Sequence, residues 1–168
     1  MADFVILVTG SRTWTDRKVF WDALDQAFAE AAVSMKGDDD WRVVIRHGAN
    51  PRGADDLAAW WVGIRKMTWG DNIAEDPRPA DWLAPCRETC KPGHRRPRPG
   101  TSVTECPAAG PYRNADMVGP DVRVTLAFLD ECANPRCGRP QPHWSHGGSG
   151  CADLAEKAGI RTRRFTAS

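Results

Sequence analysis

The stretch Val5-Ile6-Leu7-Val8-Thr9-Gly10-Ser11-Arg12 decides how this chain is read. Four aliphatic residues follow one another without polar alternation, and a glycine, a hydroxyl and a cation close the run. A strand with one solvated face alternates, whereas a strand buried on both faces of a parallel sheet does not. Thr15 is then placed to cap a helix, because Val19, Phe20, Ala23, Leu24, Ala27 and Phe28 recur at helical spacing. Strand, tight turn and helix make the first half of a βαβ unit. Its turn directs backbone N–H groups and a helix N-terminus to a place where an anion can sit.

The device recurs along the chain. Trp41 to Arg46 reads as a second strand, His47-Gly48-Ala49-Asn50-Pro51-Arg52-Gly53 as a second glycine loop, and Ala54 to Lys66 as a second helix. Asp55 and Asp56 in its first turn suit the helix dipole. A short strand fits residues 72–74. Ala108 to Asn114 reads as a third glycine turn before a short helix ending near Val118, and Val122 to Phe128 as another buried strand. Gly147-Gly148-Ser149-Gly150 reads as a fourth turn, followed by a helix over 151–158, Gly159 as the residue that ends it, and a last strand over 160–165. Strands alternating with helices predict an α/β fold: a Rossmann-like, doubly wound and mostly parallel sheet in one domain, 1–168. Two inserts, 83–107 and 130–146, carry no hydrophobic periodicity.

In such a sheet every strand-to-helix loop lies at the carboxyl edge, so the glycine turns should converge there. They bring Ser11, Arg12, Arg52, Arg113, Asn114 and Ser149, with Gly10, Gly48, Gly53, Gly110, Gly147 and Gly148 allowing close backbone approach. A phosphate-bearing ligand is the expected guest. His47 reads either as a ligand contact or as a satisfied polar residue at the end of its strand.

Composition bounds the alternatives. The 168 residues have a formal net charge of +1, so there is no global basic field to attract nucleic acid. The local stretch His94-Arg95-Arg96-Pro97-Arg98 leaves nucleic acid as a less favoured partner. Ala2 and Asp3 precede the first strand without a basic leader, and no apolar run approaches the roughly 20 residues that span a bilayer. The expectation is a cytoplasmic protein without a membrane partner; a second copy of the chain remains open as a partner. Eight tryptophans read as packing residues.

Six cysteines in such a protein point to metal or reduced thiols before disulfides. Cys86, Cys90, His94 and Cys106 lie in one insert, and Cys132, Cys137, His143 and His146 in the other. Sulfur and nitrogen donors in fours suit one or two structural zinc ions, whose binding could order segments that packing cannot. The two sets could also mix. Cys151 is left over as a packed cysteine early in its helix.

Val8-Thr9-Gly10-Ser11-Arg12, His47-Gly48-Ala49, Arg52-Gly53-Ala54-Asp55, Pro79-Ala80-Asp81-Trp82 and Ala109-Gly110-Pro111-Tyr112-Arg113-Asn114 together resemble the YspA/YpsA-related branch of the SLOG superfamily. The resemblance implies a Rossmann-like fold, a nucleotide or nucleotide-derived ligand, and an actinobacterial or actinophage origin. Relatives of that family include the DNA-processing protein DprA and the LOG phosphoribohydrolases. The LOG comparison implies an alternative, N-glycosidic hydrolysis with Arg113 and Asp153 as catalytic residues: Arg113 and Met117 resemble the LOG arginine–methionine pair, and Gly147, Gly148 and Gly150 its glycine turn. Cys151 and Leu154 stand where LOG enzymes have threonine and the catalytic glutamate. Asp153 is one residue out of phase, about 100° around a helix.

Overall fold

The aliphatic run at 5–8 is the centre of β1 (Ala2–Gly10), the middle strand of the main sheet. The computed structural model describes residues 2–37, 40–135 and 137–167. After β1 come α1 (Arg17–Ser34), β2 (Trp41–His47), α2 (Ala54–Trp69), a single 3₁₀ turn (Gly70–Asn72) and β3 (Ile73–Pro77). The first insert holds a minimal hairpin, β4 (Arg96–Pro97) and β5 (Thr104–Glu105). Then follow α3 (Ala109–Met117), β6 (Val122–Leu129), α4 (His146–Lys157) and β7 (Arg161–Thr166). The five long strands pair in parallel in the order β3-β2-β1-β6-β7. This is the expected Rossmann-like α/β fold, and its order reverses between β1 and β6.

Both faces of the sheet are covered, which explains the unalternating run. Ile6, Val8, Val43, Ile45, Leu126 and Phe128 pack against Phe20, Leu24 and Phe28 of α1 and Leu57 and Trp61 of α2. Val5, Leu7 and Val44 face the other way, toward Met117 of α3 and Cys151 of α4. Successive residues of a strand point to opposite faces, so each of Val5 to Val8 finds an apolar partner.

The exposed edge strand β7 is charged, which discourages pairing with another chain. Glu30 takes Arg161 and Arg163, while Arg164 is held by Asp153 and Glu156.

Three local expectations are corrected. The cap of α1 is Asp16, not Thr15; its Oδ1 accepts the Val19 N–H at 3.0 Å. Gly110 is not in a turn before a helix but is the second residue of α3. The residues Gly147-Gly148-Ser149-Gly150 form no turn either, because α4 begins at His146 and runs through them. The Gly159 position holds as read, with φ +75 just past the helix end.

Candidate functional site

The carboxyl ends of β1 and β2 meet the loop before α2, the middle of α3 and the first turn of α4 at one edge of the sheet. A cavity of about 70 Å³ sits there, lined by Thr9, Gly10, Arg12, Gly48, Asn50, Arg52, Asp55, Arg113, Asn114 and Gly147. A wider space of about 450 Å³ shares Arg12, Arg113, Asn114 and Gly147 with it and reaches Trp82, Arg139 and His146. On the other side of Gly10 and Arg12, a space of about 400 Å³ includes Ser11, Gly148, Glu131 and Ser145. The crevice therefore lies where the strand order reverses, the place at which open α/β sheets bind ligands.

Arg113 acts as a clip across this edge. Its Nη1 donates to the Gly48 carbonyl and, at 2.9 Å, to the Arg78 carbonyl, and its Nε donates to Asn114 Oδ1 at 3.0 Å. Burial pushes its pKa down, with the nearby Asp55 carboxylate opposing the shift. Glycine at 48 leaves the space that the guanidinium fills, which a Cβ would occupy. Asn114 in turn donates to the Gly147 carbonyl at 3.1 Å, which joins α3 to α4. Arg12 and Arg52, by contrast, have no ion-pair partner among the described residues and both line the inner cavity. The Oδ1 of Asn50 is buried there without a hydrogen-bond partner. Asp55 Oδ2 accepts the Asn50 N–H at 3.1 Å.

Other sequence candidates hold the frame. The Ser11 hydroxyl lies 2.6 Å from Ser145 Oγ and accepts the Asp130 N–H at 2.8 Å, tying β1 to the second insert. Ser149 Oγ donates to the Ser145 carbonyl within α4. Gly53 is the N-cap of α2 at φ +70, its neighbour Ala54 donating to the Ser11 carbonyl. Gly110 packs against Trp82 and lines only the wider space. Asp153 is exposed, accepts from Arg164 at 2.6 Å and lines none of these spaces; the carboxylate that does line the inner cavity is Asp55. His47 is a satisfied polar residue: its Nε2 lies 2.8 Å from Glu75 and its Nδ1 accepts the Ala49 N–H. Thr9, Asn50 and Asp55 were not singled out from sequence as ligand residues. The only signal was their position beside glycines in the first two turns.

Beneath the edge lies an ion network around the buried Arg46. Arg46 donates to Asp76 and Asp121 at 2.7 Å each and to the Met117 carbonyl at 3.1 Å, fixing the end of α3. Asp121 is held below the usual carboxylate range by Arg46. For Asp76, burial works against the charge, but Arg78 and Arg46 outweigh it and the net shift is also downward. Cys151 is buried in α4, and burial pushes its thiol up to about 11.

The cysteines are all free, and the two Cys/His groups stay separate. Cys86, Cys90, His94 and Cys106 bring their ligand atoms within 4.8 Å of one another, and so do Cys132, Cys137, His143 and His146. Each group could hold a metal ion. Within the first, Cys86 Sγ is 3.0 Å and Cys106 Sγ 3.4 Å from His94 Nε2, and Cys90 Sγ is 3.9 Å from Cys106 Sγ. Within the second, Cys137 Sγ lies 3.4 Å from His143 Nε2 and 3.3 Å from His146 Nε2. Arg95 of the basic stretch donates to the Leu83, Ala84 and Thr104 carbonyls, so it braces the first insert.

Each group is attached to a helix that lines the crevice. Cys90 Sγ is 3.1 Å from the hydroxyl of Tyr112, the neighbour of Arg113. His146 is the first residue of α4 and the neighbour of Gly147.

A protein described as "Gene 61 protein" of Mycobacterium phage D29 is 32% identical to this chain over 161 residues, covering 95% of this chain and 94% of that protein. Residues 4–75 match the family model described as YspA, cpYpsA-related SLOG family. The chain belongs to this SLOG family. The matched span carries β1, β2, α2 and the first two glycine turns, which supply Thr9, Gly10, Arg12, Gly48, Asn50, Arg52 and Asp55 of the inner cavity of this SLOG protein, while Arg113, Asn114 and Gly147 lie beyond it. No solved structure matches the chain. Among the described residues no helix is long and apolar enough to cross a membrane.

Proposed function

We propose that this SLOG protein binds a nucleotide or nucleotide-derived ligand in the crevice at the β1/β6 reversal, and that zinc in both Cys/His groups holds the rim of that crevice. The observation that carries the reading is the inner cavity itself: two unpaired guanidiniums, Arg12 and Arg52, and the unpartnered Asn50 Oδ1 face one small space. Exposed guanidiniums converging on one small space suit phosphate oxygens, which accept bidentate contacts from guanidinium. Asp55 beside them accepts hydrogen bonds and suits ribose hydroxyls. Arg113 positions the two loops through the Gly48 and Arg78 carbonyls. Ala49, held at φ +55, shows a non-glycine backbone kept in the left-handed region in the loop that shapes the cavity.

The donor sets fit zinc. With Zn–S near 2.3 Å and Zn–N near 2.0 Å, a tetrahedral site has ligand–ligand edges of roughly 3.3–3.8 Å. The Cys90–Cys106 sulfur separation of 3.9 Å and the sulfur–nitrogen separations of 3.3–3.4 Å are close to these values, and the shorter Cys86–His94 contact at 3.0 Å and His143–His146 contact at 2.8 Å would open on metal binding. The Nδ1 of His143 is 2.8 Å from the Pro140 carbonyl, which leaves Nε2 as the ligating atom. Four protein ligands leave no open position, so these ions order the inserts rather than react. In a setting like that of the phage relative, the protein would work in the cytoplasm of the host cell.

The test is equilibrium binding of nucleoside monophosphates and ADP-ribose to the metal-loaded protein, with free base monitored in the same samples. Binding without base release is expected, since Asp153 is engaged by Arg164. The Arg12→Ala/Arg52→Ala variant, which removes no side-chain hydrogen bond or ion pair among the described residues, should lose at least tenfold in affinity. Failure of the whole panel to bind, or an unchanged affinity in the variant, would overturn the reading.

A further inference from the structure

We infer that Trp82 is the platform for a flat aromatic base, so that the ligand is a complete mononucleotide or larger and not a bare sugar phosphate. This rests on the reading that the inner cavity takes the phosphate end. Of the eight tryptophans, six pack in the aromatic layer of α1, α2, β2 and their surroundings: Trp14, Trp21, Trp41, Trp60, Trp61 and Trp69 each have a ring neighbour there. Trp82 lies on the opposite side of the crevice. Among the described residues its ring has no aromatic neighbour, and its indole N–H has no acceptor.

The chain fixes the ring in place all the same. The Trp82 carbonyl accepts the Cys106 N–H at 2.9 Å, which ties it to the first metal group. One edge of the ring rests on Gly110 of α3, where a Cβ would come within 3.1 Å of Cη2. The half-buried ring therefore forms one wall of the 450 Å³ space, and Arg12, Arg113 and Asn114 form the wall shared with the inner cavity. A volume of that size lies within the range of small-ligand sites. An apolar ring wall joined through shared residues to a small cationic cavity has the polarity of a nucleotide, with base at one end and phosphate at the other. Aromatic side chains stack on bases of any identity, so the wall selects a ring without selecting which ring.

The experiment compares two probes on the metal-loaded protein by calorimetry: the tightest nucleoside monophosphate of the panel, and ribose 5-phosphate. Wild type should bind the mononucleotide at least tenfold more tightly than the sugar phosphate. Trp82→Ala should lose roughly tenfold to a hundredfold for the mononucleotide. It should leave ribose 5-phosphate binding unchanged, which also reports that the fold is intact. Trp82→Phe should recover most of the difference. Equal affinity of wild type for the two probes overturns the platform while leaving the phosphate reading in place, as does a Trp82→Ala variant that keeps full mononucleotide affinity. Binding of neither probe removes the phosphate reading and the platform with it.

Discussion

Replacing Gly48 with alanine tests whether Arg113 holds the crevice loops as described. The new Cβ would stand 2.5 Å from Arg113 Cζ and 2.8 Å from Nη2. Those atoms are the far end of a flexible side chain, so the guanidinium yields and the backbone at 48 does not. It then gives up its bonds to the Gly48 and Arg78 carbonyls. Hydrogen bonds to charged groups contribute about 1.5–3 kcal/mol each, and water partly replaces them, so a net loss of about 2–3 kcal/mol is expected. For a chain of this length that corresponds to roughly 5–10 °C in Tm. Arg113→Ala removes the same bonds and should cost about as much. The Gly48→Ala/Arg113→Ala variant should be no less stable than Arg113→Ala alone, because the three atoms nearest the new Cβ all belong to the missing guanidinium. Urea unfolding of the four metal-loaded proteins closes this cycle. Additive losses would refute the clip, since they would mean that the two substitutions act on different contacts.

Arg46 sets the acid limit. Asp76 and Asp121 are both held below the ordinary carboxylate value of about 3.9, so their contribution is present above that pH and is lost as pH falls through their folded values. Urea stability should decline below about pH 4, and Arg46→Met should cost about 2 kcal/mol at neutral pH and flatten that decline; an unchanged acid profile would contradict the network. Elemental analysis should return two zinc ions per chain. Strong chelation should melt the inserts and weaken nucleotide binding at least tenfold, because the metal groups adjoin Arg113 and Gly147; full affinity in the metal-free protein would contradict the rim. Thiol labelling at pH 8 should reach the five cysteines of the two groups only after chelation, and Cys151, with its thiol pushed up to about 11, only after unfolding. Early labelling of Cys151 would show that it is not packed as described.

The sheet was legible because burial on two faces leaves a plain mark: Val5 to Val8 run on without polar alternation, and so do Leu126 to Phe128. The glycines were harder. Each glycine costs about 1 kcal/mol in a helix interior, so Gly147 to Gly150 reads as a turn. Packing reverses that preference, because Gly148 lies against the Gly10 backbone, where a Cβ would meet Gly10 Cα at 3.0 Å and Leu129 at 2.9 Å. The start of α4 is thus set by a contact between residues far apart in sequence. Thr15 and Asp16 are adjacent capping types, and only the backbone decides between them. The four-ligand groups were readable from residue type and spacing. The tie of Ser11 to Ser145, the pairing of Asp153 with Arg164 and the exposure of Asn50 and Asp55 to the cavity were not, since each depends on how segments far apart in sequence meet in space.

The most direct measurement is a crystal structure of the zinc-loaded protein with a bound mononucleotide. The account predicts the phosphate within hydrogen-bonding distance of the Arg12 and Arg52 guanidiniums, beside Gly10. A phosphate seated elsewhere, such as the 290 Å³ space between the first insert and α3, with Arg12 and Arg52 untouched, would contradict it.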